Sequence, residues 1–312
     1  MYMDIVKKTD FAFFGTKREG KVRDVYEQDD KLIIISTDRH SSFDRIIAHV
    51  PYKGQVLNQV SAWWFDKTKD IIPNHVIAVP DPNVTVARKY KTVAIEAVMR
   101  GYLTGVTDTA IWTRYQNGQR TFGELSLPDG MKKNQKLPIP VFDPTTKEST
   151  HDRTLTLDEM IGEGIVTREL YDRVKQAATA LFLRGQDIAS KRGLILVDTK
   201  YEFGEAPDGS LVLIDEIHTP DSSRYWQLAT YAERYAASQE PDYFDKEFLR
   251  LWFKEHSDPY NDEVLPEAPQ EMVEELSLRY IRMQEQITGQ KFAPGEQPIL
   301  PRIERNLEAY RV

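Results

Sequence analysis

Cysteine is absent from this 312-residue chain, and so is any long run of apolar residues. The first absence excludes disulfide bonds and thiolate chemistry. The second excludes a membrane-spanning helix, which needs about 18 or more consecutive apolar residues. The first ten residues contain Asp4, Lys7 and Lys8 but no apolar stretch, so a secretory signal is not expected. We therefore expect a cytoplasmic protein.

Positive charge is also scarce, because 49 acidic residues outnumber 41 lysines and arginines and give a formal net charge of -8. A nucleic-acid surface normally needs clustered basic residues, so no nucleic-acid partner is expected. If the substrates are anions, a few Lys and Arg side chains or metal ions must concentrate positive charge locally. The length and the 40% hydrophobic content predict two domains or lobes, each with a real core.

The first third of the chain has the pattern of short strands. Residues 21–27 and 32–38 predict a hairpin, and residues 92–99 predict another strand. Between them, residues 55–69 carry apolar side chains at helical spacing. Residues 116–150 are rich in Gly, Pro, Asn and Thr, and they predict a long irregular excursion. Such excursions in compact domains are usually functional or mobile.

The remainder of the chain alternates helix and strand signals. Residues 167–192 predict the clearest helix, with Gly193 as its stop. Strands are predicted at 194–203 and 211–217, joined by an Ala-Pro-Asp-Gly-Ser turn. From residue 241 onward the pattern is helical, most clearly at 271–286.

The predicted hairpin after residue 194 carries the most informative charges. Polar and apolar residues alternate along its first strand, so Lys200 and Glu202 share one face. If the turn closes Gly204 against Leu211, Asp215 lies opposite Lys200 and joins that face. A slip of one residue would place Asp215 on the apolar face, which burial disfavours.

Two carboxylates beside a lysine suit a hard cation, because Mg²⁺ prefers oxygen ligands and uses one or two protein carboxylates with phosphate oxygens. The alternative is a cross-strand ion-pair ladder on a solvated face, which adds only tenths of a kcal/mol. The segment 218–226 favours the first interpretation. It adds hydroxyls, a carboxylate and Arg224 directly after the strand, as capture of an anion requires.

Four further segments combine charges with hydroxyls or glycine, at residues 19–24, 36–44, 99–105 and 143–152. Gly20 and Lys21 could bring backbone N–H groups and a point charge to phosphate, and Arg100 could hold a phosphate monoester. Taken alone, each segment could equally be a turn or a solvated loop. The six histidines show no paired metal-ligand spacing, and the chain contains no nucleophile elbow, H-E-x-x-H pair or Rossmann fingerprint.

Taken together, these segments resemble the SAICAR synthetase (phosphoribosylaminoimidazole-succinocarboxamide synthase) family, in the order expected for it. They span about two-thirds of the chain, and its length resembles the longer form of the family. The segments are Gly-Lys-Val-Arg-Asp at 20–24, Ser-Thr-Asp-Arg-His-Ser-Ser-Phe-Asp at 36–44, Arg-Gly-Tyr-Leu-Thr-Gly at 100–105, Pro-Thr-Thr-Lys at 144–147 with His-Asp at 151–152, Asp-Thr-Lys-Tyr-Glu-Phe-Gly at 198–204 and Asp-Glu-Ile-His-Thr-Pro-Asp-Ser-Ser-Arg-Tyr-Trp at 215–226. The last two are highly specific.

The resemblance implies a ligase that condenses carboxyaminoimidazole ribotide (CAIR) with L-aspartate in purine biosynthesis, with Mg²⁺ and the conversion of ATP to ADP and phosphate. It implies an α+β fold with a kinase-like, β-rich N-lobe and a larger α/β lobe related to ATP-grasp enzymes. The active site is expected in the cleft between them. We place the lobes at residues 1–105 and 106–312. The expected partners are these small molecules, in a monomer or small homo-oligomer.

The resemblance also implies roles for individual residues. ATP is expected at Gly20, Lys21 and Arg23, which would cover its phosphates, and at Glu96 near the adenine. Mg²⁺ is expected at Glu202 and Asp215. CAIR is expected at Arg100, Lys200, Ser222 and Arg224, with Arg100 on its phosphate. The aspartate site is expected near Lys147 and Asp152, with Asp38 as a further substrate contact. Lys200, Arg224 and Asp215 are the expected catalytic residues.

The implied chemistry explains this abundance of cations. A carboxylate is a poor electrophile, and phosphorylation by ATP would give an acyl phosphate that the aspartate amine can attack. Both steps gather negative charge, so neutralisation by metal, Arg and Lys should dominate catalysis. Three positions depart from the family pattern. Val106 stands where a hydroxyl residue is common, and Thr104 or Thr107 could substitute for it. Asp143 and Glu148 stand where less acidic residues are expected.

Two other classes of protein fit the sequence less well than a ligase. A kinase-type phosphotransferase would need an H-R-D-x-x-x-x-N catalytic loop and a D-F-G motif, and the chain contains neither. A non-catalytic nucleotide-binding module would not need Glu202, Asp215 and Lys200 together with Arg224.

Overall fold

The computed structural model describes residues 4–147, 153–243 and 247–312. The strands are β1 (Thr16–Glu19), β2 (Arg23–Glu27), β3 (Lys31–Ser36), β4 (Arg39–Ser42), β5 (Arg45–His49), β6 (Val76–Asp81), β7 (Val84–Arg88), β8 (Lys91–Thr92), β9 (Ile95–Leu103), β10 (Thr121–Phe122), β11 (Leu125–Ser126), β12 (Gln135–Phe142), β13 (Thr145–Thr146), β14 (Leu194–Glu205), β15 (Leu211–Ile214) and β16 (Ser223–Gln227). The helices are α1 (Lys53–Thr68), α2 (Ile111–Gln116), α3 (Leu157–Gly162), α4 (Arg168–Lys191), α5 (Leu228–Ala236), α6 (Glu247–His256), α7 (Gln270–Thr288) and α8 (Ile299–Asn306).

All pairs of these strands are antiparallel, which together with the helices makes a mixed fold of the α+β type. The predicted helices at 55–69, 167–192 and 271–286 are confirmed as α1, α4 and α7. Within the described ranges, no helix is both long enough and apolar enough to cross a membrane.

The chain forms two compact units, each built from separated stretches of sequence. The first unit comprises the described parts of Met1–Asp66, His75–Lys89 and Phe244–Val312. The second comprises those of Lys67–Asn74 and Tyr90–Tyr243. This division differs from the predicted lobes at 1–105 and 106–312, because β9 hydrogen-bonds to strands of the second unit and α8 packs into the core of the first. The predicted cleft between lobes stays a prediction.

The first unit contains a five-stranded sheet in the order β1-β2-β3-β7-β6 and a separate β4–β5 ribbon. The predicted hairpin at 21–27 and 32–38 is confirmed as β2 and β3. Alternate residues of β3, Ile33 and Ile35, are buried in the main cluster of this unit. Ile299 and Ile303 of α8 belong to the same cluster, so the C-terminal helix completes a core that begins near the N-terminus.

A buried ion pair anchors α8 in the first unit. Arg302 donates from Nε to Asp81 Oδ2 at 2.9 Å and from Nη2 to Asp81 Oδ1 at 3.1 Å. Its Nη2 also donates to Asn83 Oδ1 at 2.6 Å. Both charged side chains are nearly inaccessible to solvent, so each depends on the other to remain charged.

The second unit is organised around β9 and β14, the central strands of a seven-stranded sheet. Helix α4 begins at the Thr167 cap and packs along β14 and β9 with an apolar face that includes Val174 and Leu181. At Gly185 a Cβ would lie 2.4 Å from Cε1 of His218, so glycine permits this close approach. Burial lowers the pKa of His218 to about 3, so the imidazole is neutral.

The stretch predicted as irregular contains ordered structure. Residues 121–147 include the short β10–β11 ribbon, the eight-residue strand β12 and β13. Phe122, Leu137 and Val141 are buried in a cluster with Leu103 and Ile111. The prediction of a wholly irregular excursion was therefore wrong for this part, because side chains scattered among turn residues converge on one cluster only in three dimensions.

The register of the β14–β15 hairpin differs from the prediction by one residue. Glu205 pairs with Leu211 and Glu202 with Ile214, since β14 extends beyond Gly204 and leaves only five turn residues. Asp208 stabilises this short turn by accepting the N–H of Ser210 at 2.9 Å. A slip of one residue was expected to bury Asp215 on the apolar face of the hairpin. This does not happen, because the ladder ends before Asp215 and that residue adopts φ 69°.

We expect Arg302→Met to lower the free energy of unfolding by about 3 to 5 kcal/mol, because it leaves the buried Asp81 carboxylate without its cation. Urea denaturation measures the change. Arg305→Met is the matched control, since that side chain forms an exposed pair with Glu296 and should alter stability by no more than about 0.5 kcal/mol. Equal effects of the two substitutions would contradict the assigned role of Arg302.

Candidate active site

A row of alternating charge crosses the sheet of the second unit. Asp198 on β14 is paired in register with Arg100 on β9 on one side and with Arg224 on β16 on the other. Directly opposite residues of antiparallel strands project from the same face. Arg224 Nη1 donates to Asp198 Oδ2 at 3.0 Å. The structure thus brings Arg100 and Arg224, both predicted to bind CAIR, to either side of one carboxylate.

A second group of charges lies farther along β14. Lys200 Nζ donates to Glu96 Oε1 at 2.5 Å and to Glu202 Oε1 at 3.2 Å. Glu202 also accepts a hydrogen bond from Lys147 through its other oxygen. Two lysines and two glutamates therefore form one network, and it contains residues predicted for ATP, Mg²⁺, CAIR and L-aspartate.

Electrostatics fixes the protonation state of Lys200. Burial by itself lowers the pKa of this ammonium group. Glu202 and Glu96, and more weakly Asp215, raise the pKa by a larger amount, so the net shift is upward. Lys200 is consequently a permanent cation at physiological pH and not a general base. Asp215, which directly follows β15, is among the carboxylates that raise this pKa.

Ser222 lies in a turn rich in hydroxyl groups, next to the charged network. Its Oγ accepts the N–H of Thr219 at 3.1 Å, and its N–H donates to Thr219 Oγ1 at 3.2 Å. The Ser222 carbonyl accepts the N–H of Lys200 at 3.1 Å. This backbone bond fixes the predicted CAIR-binding serine beside the charged part of β14.

Arg100 is held by a carboxylate that the sequence marked as unusual. Arg100 Nε donates to Asp143 Oδ2 at 2.6 Å, and Arg114 Nη2 donates to the same oxygen. Arg100 Nη2 also donates to the carbonyl of Thr109 at 3.1 Å. Asp143 therefore does not repel substrate as a free charge, because two guanidinium groups surround it.

In the loop after β9, the hydroxyl group of Thr104 bonds to another side chain, whereas the family pattern implies a hydroxyl at position 106. Thr104 Oγ1 donates to Asn134 Oδ1 at 2.7 Å, and its side chain is buried. Val106, which stands at the expected hydroxyl position, is 58% exposed. A Cβ at Gly105 would lie 2.6 Å from that of Ala110, and Gly105 has φ 101°, so this position requires glycine.

Glu202 and Asp215 are the two carboxylates predicted to hold a metal ion in the second unit. In the ranges 4–147, 153–243 and 247–312, no group of three or more His, Asp or Glu side chains is arranged for metal binding. Mg²⁺ commonly uses one or two protein carboxylates with phosphate oxygens, so such a cluster is not required. Glu202 and Asp215 provide the oxygen donors that this ion prefers.

The predicted phosphate loop of the first unit is the turn between β1 and β2. The N–H of Gly20 donates to the carbonyl of Arg23 at 2.8 Å, inside the turn itself. Arg39 Nη2 donates to the carbonyl of Gly20 at 2.9 Å, and its buried guanidinium group pairs with Asp24. Lys21 is exposed and donates to Asp44 at 2.5 Å. Arg39 thus supports this turn, a role that the sequence pattern did not predict.

Asp38 has a structural role in place of the predicted substrate contact. It is only 1% exposed, and its two oxygens accept the N–H groups of Val6 at 2.8 Å and Gly54 at 2.9 Å. A side chain held in this way cannot reach a ligand in this conformation. Asp152, the predicted neighbour of the aspartate site, lies outside the described residues, and so does Glu148.

Arg114 is the functional candidate that the sequence analysis missed. It lies in the six-residue helix α2, too short for a clear periodic signal. Asp143 was the signal in the sequence that could have indicated Arg114. It is an acid in an unexpected position, and a buried carboxylate needs a cation.

Guanidinium and ammonium groups that carboxylates hold in place are typical of enzymes that bind anionic small molecules. The sequence model for SAICAR synthetase matches residues 16–267. A phosphoribosylaminoimidazole-succinocarboxamide synthase from Legionella pneumophila (strain Paris) is 54% identical over 95% of this chain and 96% of its own. The chloroplastic enzyme of Arabidopsis thaliana is 52% identical over 92% of this chain and 71% of its own.

Solved structures agree with these sequence relatives. SAICAR-synthase from Saccharomyces cerevisiae has a TM-score of 0.79 at 30% identity and covers 93% of this chain and 100% of its own. The chain therefore belongs to the SAICAR synthetase family. It is a carbon–nitrogen ligase that condenses CAIR with L-aspartate in purine biosynthesis.

Burial raises the pKa of Asp38 to about 6, although the N–H groups of Gly54 and Val6 act in the opposite direction. Because the pKa is higher in the folded state than its ordinary value of 3.8, Asp38 stabilises the fold below that value and loses this contribution as the pH rises through 6. Relative to Asp38→Asn, which does not titrate, the unfolding free energy of the wild type should fall by about 2 to 3 kcal/mol between about pH 4 and about pH 7. Urea denaturation of both proteins tests this, and a difference independent of pH would contradict it.

Proposed function

We propose that this enzyme activates CAIR by transferring the γ-phosphoryl group of ATP to the CAIR carboxylate. A carboxylate oxygen forms a bond to phosphorus while the bond to ADP breaks. The amine of L-aspartate then attacks the carboxyl carbon, loses a proton, and expels inorganic phosphate to leave SAICAR. The observation that carries this proposal is the set of partnered cations, Lys200, Arg100 and Arg224, on one face of one sheet.

The reaction needs cations because its reactants are anions. The carboxylate and phosphate of CAIR, the phosphates of ATP and the carboxylates of L-aspartate would repel one another in a site without positive charge. Lys200 is a cation before the substrates bind, since its carboxylate neighbours raise its pKa. Preorganised charges of this kind stabilise developing negative charge without having to reorient, which is commonly the largest catalytic contribution.

We assign the CAIR phosphate to Arg100, and the rest of CAIR to Lys200, Ser222 and Arg224. Support comes from the row that joins Arg100 and Arg224 through Asp198, and from the backbone bond between Lys200 and Ser222. The Saccharomyces cerevisiae SAICAR-synthase was solved in complex with SAICAR, the product of this reaction. The aspartate site is proposed near Lys147 and Asp152.

The donor set fits a bound Mg²⁺ at Glu202 and Asp215. Both groups present carboxylate oxygens, and Glu202 is already satisfied by two lysines that a divalent cation could replace in part. When bound with ATP, this ion would neutralise phosphate charge. Before the ion binds, Lys200 and Lys147 keep Glu202 oriented.

The nucleotide is proposed to bind at the Gly20–Lys21 turn with Arg23, and beside Glu96. The turn is held from behind by Arg39, which leaves the exposed Lys21 ammonium group able to exchange Asp44 for a phosphate. A fold relative at 24% identity and TM-score 0.68 is a SAICAR synthetase (Type-2) in complex with ADP. We also propose that the protein has a kinase-like N-lobe and a larger lobe related to ATP-grasp enzymes.

The acyl phosphate can be tested by isotope transfer. CAIR labelled with ¹⁸O in its carboxylate should deliver one ¹⁸O atom to each inorganic phosphate formed, because the oxygen that attacks phosphorus leaves with it. Mass spectrometry of the phosphate measures the label. Unlabelled phosphate would contradict the acyl phosphate, and ADP formation independent of CAIR would contradict the ligase function itself.

Lys200→Met should lower kcat/KM for CAIR by about a hundredfold or more, since it removes a fixed cation from the site of developing charge. Lys200→Arg should retain part of the activity. CAIR-dependent release of ADP measures both. Lys175→Met serves as the control, because that lysine pairs with the exposed Glu124 on another surface and should leave the rate unchanged. Near-normal turnover of Lys200→Met would remove Lys200 from the catalytic set.

A further inference from the structure

Two arginines share a single carboxylate in the second unit. Asp143 Oδ2 accepts from Nε of Arg100 at 2.6 Å and from Nη2 of Arg114. The exposed fractions of the two arginine side chains are only 11% and 14%, so little water reaches them. A carboxylate can neutralise one guanidinium group but not two, and this pair therefore carries excess positive charge.

The excess persists when the neighbouring charges are included. Arg100, Asp198 and Arg224 form the row across the sheet, which adds one carboxylate and one further guanidinium group. Three arginines are then matched by two aspartates. Glu240, whose pKa Arg224 lowers, has its own cation in Lys133 and does not change this difference. Partly buried charges are normally paired, so a surplus cation in a protein interior indicates a place for an anion.

Arg114 has hydrogen-bonding capacity to spare. Its Nη2 is used by Asp143, whereas its buried Nε has no hydrogen-bond partner among the described residues. Burial lowers the pKa of Arg114 and the charge of Arg100 lowers it further, while Asp143 raises it. An additional anion would therefore stabilise the charged form of this guanidinium group.

The position of Arg114 is fixed from two directions. Its guanidinium group lies over the ring of Phe122, with Cζ 5.1 Å from the ring centroid. Its N–H donates to the carbonyl of Ala110, which contacts Gly105 in the loop after β9. Arg224 approaches the same loop, since its Nη1 is 3.9 Å from the Cβ position of Gly105. Arg100 and Arg224 thus both border the loop that Arg114 supports.

We propose that Arg114 binds the phosphate monoester of the ribotide substrate together with Arg100, and that it sets the preference for the ribotide over the corresponding riboside. Two planar guanidinium groups on one carboxylate offer several N–H donors in fixed directions, which suits the oxygens of a phosphate dianion. Asp143 holds both groups in place. This inference rests on the proposed function, because it assumes that the ribotide binds at the Arg100 row.

The test compares the binding of SAICAR and of its riboside, which lacks the phosphate, by titration calorimetry. Arg114→Met should weaken the binding of SAICAR about ten- to hundredfold, the range for a hydrogen bond to a charged group, and should leave the riboside within about twofold. Arg114→Lys should recover part of the loss. Arg168→Met, which removes an exposed arginine at the start of α4, should change neither ligand.

The other outcomes of this binding experiment contradict either the role of Arg114 or the proposed function. Equal weakening of SAICAR and riboside, or no weakening of either, would overturn the role of Arg114 in phosphate recognition. Failure of the wild type to bind SAICAR would instead overturn the proposed function. If Arg114→Met does not fold, Arg114→Lys is compared with the wild type for inhibition of SAICAR binding by inorganic phosphate. An unchanged inhibitory concentration would then overturn the inference.

Discussion

The chemistry of this protein depends on strand β14, which has one buried apolar face and one face of charged side chains. Strand β14 packs against α4, and its apolar face carries fully buried side chains such as Tyr201. The other face carries Asp198, Lys200 and Glu202, which have to find partners of opposite charge because they are only partly hydrated. The neighbouring strands supply those partners, so the positions of Glu96, Arg100 and Arg224 follow from the pairing of β9 and β16 with β14.

The pairing also explains how an acidic protein builds a site for anions. The net charge of -8 is spread over the chain, while the cations of the site are each held by a nearby carboxylate. Such carboxylates raise the pKa of Lys200 and orient the guanidinium groups of Arg100 and Arg224. They cost some affinity for anions, but they fix the directions of the donors before substrate arrives, which favours catalysis over simple binding.

Sequence reasoning succeeded where the signal was local. Apolar spacing predicted α1, α4 and α7, and alternation on β14 predicted the shared face of Lys200 and Glu202. It was wrong about the β14–β15 register, because a turn one residue shorter than expected uses the same Pro-Asp-Gly signal. It also assigned Asp38 to substrate, since a polar group after a strand has the same pattern whether it faces a ligand or, as here, two backbone N–H groups.

The sequence by itself determined the types of element, the charged face of β14 and the motifs that place the chain in its family. Only the tertiary structure decided which charges meet. Arg100 and Asp143 are 43 residues apart, and Arg114 and Asp143 are 29 apart, so no periodicity links them. Their contact depends on β12 pairing with β9 and on a cluster of buried side chains beneath α2. Such contacts form because burial of apolar surface is not directional, and a sequence records which residues are apolar but not which of them will pack together.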